Sequence, residues 1–171
     1  MSSIKKEKII KIRDASAEDL KAITRIYNHA VINTTATFDT RPKTLKSQQD
    51  WFRNRSGRYP VIVADGNSGV AGWASLSKWS DRYAYKNTAK ISVYVDKDSQ
   101  GMGIGNLLMS GIIKLAKKNK FHAVIAGIAE GNKISIHLHK KYGFFHTGVL
   151  KEVGFKFNRY IDVHLMQLVL D

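Results

Sequence analysis

Between Lys90 and Leu115 a strand, three crowded glycines and a helix follow one another, and no other stretch restricts the fold as much. Ile91 to Val95 is β-branched and aromatic, without Gly or Pro, and reads as a buried strand. From Leu107 the residues Leu107, Leu108, Ile112, Leu115 and Ala116 recur at helical spacing, which predicts a helix. Gly101, Gly103 and Gly105 fall where strand must become helix. Glycine lets backbone N–H groups approach a ligand, and a helix N-terminus carries roughly half a positive charge. The stretch is a candidate anion seat, best suited to a pyrophosphate.

Two common phosphate loops do not match it. A dinucleotide fingerprint wants Gly-x-Gly-x-x-Gly and an acidic residue about 20 positions on. Here the glycines alternate, and the corresponding region is Lys120-Phe121-His122, with no carboxylate. The Walker pattern needs Gly-Lys-Ser/Thr, which the chain lacks.

The rest of the chain supplies a mixed α/β frame. Lys8 to Arg13 alternates as a first strand, and Ser16 with Asp19 offers a cap for a helix over 17–32. The polar run Asn33 to Thr37 is a loop carrying Phe38, and Pro42 precedes a helix over 45–55 with Trp51 and Phe52 inward. Tyr59 to Ala64 and Val70 to Leu76 read as strands joined by Asp65-Gly66-Asn67-Ser68-Gly69, a hairpin signal. Trp79 to Asn87 is an aromatic, charged connection of the kind that contacts ligands or covers a sheet edge. After the central unit come a strand over 123–129, a short helix over 132–142 ended by Gly143, and closing strands over 144–150 and 161–170. Hairpin first, strand-helix-strand-helix later, argues a mixed sheet.

At 171 residues the chain is most simply one domain, with Met1 to Glu7 a flexible basic tail. It has no cysteine, which excludes disulfides, thiolate nucleophiles and zinc-thiolate sites. No apolar run approaches the roughly 20 residues of a membrane span, and the Lys-rich start lacks the apolar core of a secretory signal. The expectation is a soluble cytoplasmic protein. Net charge is +14, from 28 basic and 14 acidic residues. That balance favours polyanionic partners, among them a multiply phosphorylated cofactor. The lysines are spread along the chain, and no helix-turn-helix or RNA-recognition signature is present, so nucleic acid is not the expected partner.

With this order in view, Gln100-x-x-Gly103-x-Gly105 resembles the acyl-CoA pyrophosphate loop of the GNAT superfamily of N-acetyltransferases. The chain is similar, more narrowly, to the phosphinothricin and methionine sulfoximine acetyltransferases. The likeness runs through Tyr27-Asn28-His29, Arg58-Tyr59-Pro60, Ser92-Val93-Tyr94-Val95, Ala126-Gly127-Ile128 and Leu138-His139. It continues through Val153-Gly154-Phe155-Lys156-Phe157 to Arg159-Tyr160-Ile161-Asp162-Val163. The resemblance implies a mixed, mostly antiparallel sheet flanked by helices. It also implies transfer of acetyl from acetyl-CoA to the primary amine of a small amino acid or analogue, with no metal and in a homodimer. By the same resemblance Val93, Tyr94 and Val95 pair with the pantetheine arm. Gln100, Gly101, Met102, Gly103, Ile104, Gly105 and Asn106 surround the pyrophosphate, with Asn132 and Ser135 near the thiol end. The valines are also suited to a core, and Asn132 to a helix cap.

In the family's Leu-Tyr-x-x-x-Gly-Phe run this chain has Leu138-His139 before Gly143-Phe144, so His139 is the implied acid or base; packing under the sheet is the alternative. His137 and His139 do not make a metal pair, because residues two apart on a helix face apart. The family's usual base is Glu, two residues before Ser92, and Lys90 stands there. A lysine at its reference value of about 10.4 is a base only after a shift of roughly three units, about 4 kcal/mol, which demands deep burial or another cation. Three roles remain open for that region: His139 or a water takes the proton, Lys90 repels the substrate ammonium, or Lys90 pairs with a substrate carboxylate or phosphinate. Arg82, Tyr83, Tyr85 and Lys86 are implied to border the substrate, and Lys156 and Arg159 either balance its charge or lie on the surface. The competing functions are acetylation of a peptide or protein amine and a CoA-binding module without catalysis.

Overall fold

A computed structural model describes residues 10–171, in which seven strands form one sheet with four helices packed on its two faces. The strands are β1 (Lys11–Asp14), β2 (Val61–Gly66), β3 (Gly69–Lys78), β4 (Thr88–Val95), β5 (Ala123–Ala129), β6 (Phe145–Lys156) and β7 (Arg159–Val169). The helices are α1 (Leu20–Asn33), α2 (Leu45–Arg53), α3 (Ile104–Lys118) and α4 (Lys133–Lys141). The sheet order is β1-β2-β3-β4-β5-β7-β6. Every neighbouring pair is antiparallel except β4 and β5, which α3 connects as a parallel crossover. This is the mixed sheet that the residue pattern predicts. The expected basic tail and the start of the first strand, Lys8 and Ile9, lie outside the described residues.

Strand alternation divides the core in two. On β2, Ile62 and Ala64 turn to the face covered by α3, while Val61 and Val63 turn to the face covered by α1 and α2. Leu108, Met109 and Ile112 of α3 are wholly buried, each contributing about 1.5–3 kcal/mol through the area it removes from water. Leu20, Ile23 and Ile26 of α1 pack on the opposite face against Val61, Val63 and Trp73.

Three local expectations need correction. The helix at α3 starts at Ile104, not Leu107, and Leu107 is exposed while Met109 takes the inward place. The strand Ile91 to Val95 is only half-buried from Ser92 onward, because β5 leaves it after Lys90. The stretch over 153–160 is strand, not connection: β6 runs to Lys156 and turns to β7 through Phe157 and Asn158, both at positive φ (53° and 58°). Two register shifts along β6 account for the irregular pattern that hid it. Asp19 does cap the first turn, its Oδ2 accepting from Ser16 N at 2.7 Å, although the turn is 3-10 before α1 begins.

No helix among the described residues is long and apolar enough to cross a membrane.

Candidate active site

A split in the sheet makes the site. β4 and β5 pair only through Thr88–Ala123, Ala89–Val124 and Lys90–Ile125, after which the two strands part. β4 stays on β3 as far as Val95, and β5 stays on β7 as far as Ala129. From Ile91 and Ala126 onward, each strand faces the other with one backbone edge unpaired. A cleft of about 630 Å³ opens there, lined by Val93 and Tyr94 on one side and by Ala126 to Ala129 on the other. An extended ligand arm can add to such an edge as an extra strand.

The glycine loop lies beyond the C-terminal end of β4. Gly101 and Gly103 have φ of +74° and +78°, and Gly103 caps α3 in the left-handed region that only glycine enters cheaply. Gly105 is a glycine for another reason: a Cβ there would lie 3.2 Å from Leu138 Cδ2, so the missing side chain lets α4 approach α3. The first α3 amide bonded within the helix is Leu107 N, on Gly103 O. The amides of Ile104, Gly105 and Asn106 are thus the free donors of a helix N-terminus, suited to an anion. Ile104 itself is buried, and the Tyr94 ring lies in an aromatic cluster 5.0 Å from Trp73 and 5.2 Å from Tyr27. Ile104 therefore reaches a ligand only through its backbone. Met102 and Gln100 are exposed on the loop. A pyrophosphate at these amides with its arm along the β4 edge fits the chemistry of the donor set.

α4 supplies the polar groups at the far wall. Asn132 caps it, Oδ1 accepting from Ser135 N at 3.1 Å, and leaves its Nδ2 free among the described contacts. His139 is 5% exposed and lines the cleft. Its Nδ1 lies 2.7 Å from Ser135 O, and a carbonyl only accepts, so Nδ1 carries the proton and Nε2 is the basic nitrogen. Burial pushes the His139 imidazolium below the ordinary histidine value, against the raising effect of the Ser135 carbonyl. The ring meets Phe144 edge-on at 4.9 Å. His137, two residues away, is exposed. Tyr142 is engaged elsewhere, its hydroxyl donating to Asn106 O at 2.8 Å and tying α4 to the first turn of α3.

The cleft continues on the other face of the sheet. Residues 34–43 form one wall, fastened by residues the sequence marked without explaining. Asn28 clasps the Lys43 backbone through both amide atoms, at 2.7 and 2.8 Å. The Tyr27 hydroxyl reaches Thr37 Oγ1 at 2.9 Å and donates to Asp39 Oδ2 at 2.7 Å, and burial pushes this phenol up to about 12. Burial raises the Asp39 carboxyl, yet Tyr27 and Lys43 together hold it below the usual range. Lys156 is 5% exposed, and its Nζ donates to Thr34 O at 2.7 Å and Thr37 O at 2.8 Å. It is a fastener of this wall. Arg159 pairs with Glu130 at 2.7 Å.

The floor is polar and cationic. Lys90 lines it but is exposed, so the deep burial required of a lysine base is missing. Arg55 was not singled out in the sequence; it stacks 4.7 Å above Trp51 and donates Nε to Tyr59 O at 3.1 Å and a terminal nitrogen to Leu76 O. Burial lowers this guanidinium to about 10. Trp73 Nε1, also at the floor, is the one buried side-chain polar atom without a partner among the described residues. Arg82, Tyr83, Tyr85 and Lys86 are exposed on the β3–β4 connection and do not line the cleft. Lys86 Nζ sits on Tyr83, 3.0 Å from its hydroxyl.

A split parallel pair beside a glycine-capped helix defines an acyl-CoA-binding acyltransferase fold, and comparison with known proteins agrees. Residues 12–165 match the family model described as an acetyltransferase (GNAT) domain. The chain belongs to the GNAT acetyltransferase family. It is 41% identical over 162 residues to an L-methionine sulfoximine/L-methionine sulfone acetyltransferase of Pseudomonas aeruginosa, covering 94% of each chain. It is 38% identical to a phosphinothricin N-acetyltransferase of Streptomyces coelicolor, covering 90% of this chain and 92% of that one. A putative acetyltransferase from Salmonella typhimurium, solved with its cofactor acetyl-CoA, superposes with a TM-score of 0.91 at 39% identity, covering 95% and 94%.

Proposed function

We propose that this chain moves acetyl from acetyl-CoA to the primary amine of a small amino acid or analogue of the methionine sulfone and phosphinothricin type. The observation that carries the reading is the parting of β4 from β5 directly beside the free amides of α3. Acetyl-CoA supplies an activated acyl carbon joined to a thiolate leaving group. The Ile104, Gly105 and Asn106 amides hold its diphosphate, the Val93 to Val95 edge pairs with its arm, and Asn132 Nδ2 donates near the thiol end.

The acceptor ammonium must lose a proton before its nitrogen attacks. His139 is neutral at pH 7, with Nε2 available, and takes that proton directly or through one water. The new C–N bond forms as the C–S bond breaks, and the departing sulfur takes up a proton. Asp39, held low by its partners, is the poorer base. The 79–87 connection leaves and rejoins the sheet beside Ser77 and Lys90, which pair across β3 and β4 at the cleft, so its side chains meet the acceptor only if they turn in from the rim.

The protein works as a cytoplasmic homodimer without a metal. Phe155 and Tyr160, paired across β6 and β7 with rings 5.0 Å apart, are exposed beside Val153 and Phe157, an apolar surface suited to a second copy.

The test is release of free CoA thiol with a panel of amines. Turnover with methionine sulfone or phosphinothricin, unchanged by a chelator, is the expected result. Acetyl-CoA binding without turnover on any amine overturns the reading.

A further inference from the structure

The cleft closes at one end on a primary amine. Lys90–Ile125 is the last pair joining β4 to β5, and beyond it the strands part. An arm anchored at the α3 amides and running back along Val95, Tyr94 and Val93 therefore ends toward Lys90, where the sheet leaves no further gap. Lys90 alternates with Ile91, so its side chain shares with Ser92 and Tyr94 the face that α1 and α2 cover. Two lysines line the cleft, Lys43 and Lys90. Lys43 is paired with Asp39 at 2.9 Å, and Asp39 is the one carboxylate of that lining. Lys90 is exposed, and no side-chain hydrogen bond or ion pair engages it among the described residues. Its flexible four-carbon stem is thus free to turn toward the arm. His139 lines the same cleft with Nε2 as its basic nitrogen. A solvated lysine elsewhere on the surface has neither a thioester nor a base beside it, whereas Lys90 stands in a cleft that holds both.

We propose that Lys90 is a modification site: when no free amine occupies the cleft, its Nζ accepts the acetyl group of the acetyl-CoA bound to the same chain. Nζ attacks the thioester carbonyl carbon, the C–N bond forms and the C–S bond breaks. The side-chain ammonium gives up two protons, one to His139 Nε2 and one to the departing sulfur, which leaves as CoA thiol. A tethered amine needs no binding step of its own, which is the advantage of an intramolecular nucleophile. The product, Nε-acetyl-lysine, has neither charge nor nucleophile, so the event occurs once per chain. The inference rests on the acetyl-CoA reading of the same cleft.

The full-length protein is incubated with acetyl-CoA and no acceptor, and its peptides are mapped by mass spectrometry over time. The expected result is one acetyl group per chain on Lys90, matched by one CoA thiol released. Lys117 and Lys118, exposed in the last turn of α3, report ordinary acetylation from solution in the same sample. Lys90 should gain its label far faster than these two, at a rate that does not change when the protein is diluted. His139→Gln should slow labelling of Lys90 about 100-fold and leave Lys117 and Lys118 as they were. Lys90→Arg, which keeps the charge, should release no stoichiometric thiol. Label on Lys90 no faster than on the two α3 lysines, or a Lys90 rate that His139→Gln leaves unaltered, overturns the inference. A rate that rises with protein concentration also overturns it, because transfer then runs between molecules. An unlabelled Lys90 in a protein that acetylates methionine sulfone overturns this inference alone. Label on Lys90 without turnover of any free amine upholds it and overturns the small-amine reading, and calorimetry that finds no acetyl-CoA binding overturns both.

Discussion

His139 is where burial and chemistry meet in one side chain. Its ring is held by the Ser135 carbonyl and the Phe144 edge, and desolvation disfavours its charged form. Because its folded value lies below the unfolded value near 6.5, the unfolded chain binds the proton more readily. This histidine's stabilisation is therefore complete above about pH 6.5 and is lost as pH falls through the lower, folded value. The wild-type melting temperature should drop between pH 7 and 5, and His139→Gln should flatten that slope. The aspartates held low, Asp19, Asp39, Asp96 and Asp162, act in a separate window, near and below about pH 4. In catalysis the same substitution should lower kcat about 100-fold, the ordinary size of a general-base contribution, with acetyl-CoA affinity unchanged by calorimetry. The acid limb of the wild-type rate should lie below pH 6.5. An unaltered rate in His139→Gln removes the base assignment and leaves a packed ring.

Two elements carry the binding geometry, and each fails in its own way when disturbed. At the start of α3, Gly103 sits at φ +78° with no atom near its missing Cβ, so a larger residue there is strained without being crowded. Gly103→Val should weaken acetyl-CoA binding about tenfold, roughly 1.4 kcal/mol, with the acceptor KM little changed. The wall over 34–43 responds differently. Phe38 packs directly on Gly154, where a Cβ would collide with the ring, and Lys156 binds the wall's carbonyls. Gly154→Ala should displace Phe38, costing about 1–3 kcal/mol of stability by overpacking and raising the acceptor KM, while acetyl-CoA binding holds. Lys156→Met leaves two carbonyls unsatisfied and should cost about 1–3 kcal/mol, read as a lower melting temperature. The glycine loop was legible because strand, glycines and helix are contiguous, so local pattern and site coincide. The wall was not: Asn28, Tyr27 and Lys156 act on a loop at a distance, up to 122 positions along the chain for Lys156 and Thr34. Their marking in the family likeness was visible, but their reason was tertiary. Arg55 escaped notice because an arginine just past the end of an amphipathic helix looks like any solvated charge until Leu76 and Trp51 come beside it.

At the scale of the molecule, the mixed character of the sheet followed from hairpin signals and strand-helix alternation, whereas its strand order and the length of the β6–β7 hairpin did not. Phe157-Asn158 is not the Asn-Gly pair that announces a tight turn, and register shifts break the alternation of β6. The same hairpin leaves Val153, Phe155, Phe157 and Tyr160 in solvent, more aromatic and apolar surface than a strand at a sheet edge normally shows. β6 is the terminal strand of the sheet order, so no other strand among the described residues pairs with its outer edge. A second copy related by a two-fold axis would bury that surface against its own counterpart, and a stable interface needs about 800 Å² from each partner. Sedimentation equilibrium of the wild type should give the mass of two chains. Phe155→Asp combined with Tyr160→Asp should give one, since like charges placed across a two-fold repel and the apolar area is lost. If the 79–87 connection borders the acceptor only within the dimer, the monomeric double variant keeps its acetyl-CoA affinity and loses affinity for the acceptor. A double variant that stays dimeric moves the interface elsewhere on the molecule, and a wild type that sediments as one chain removes it.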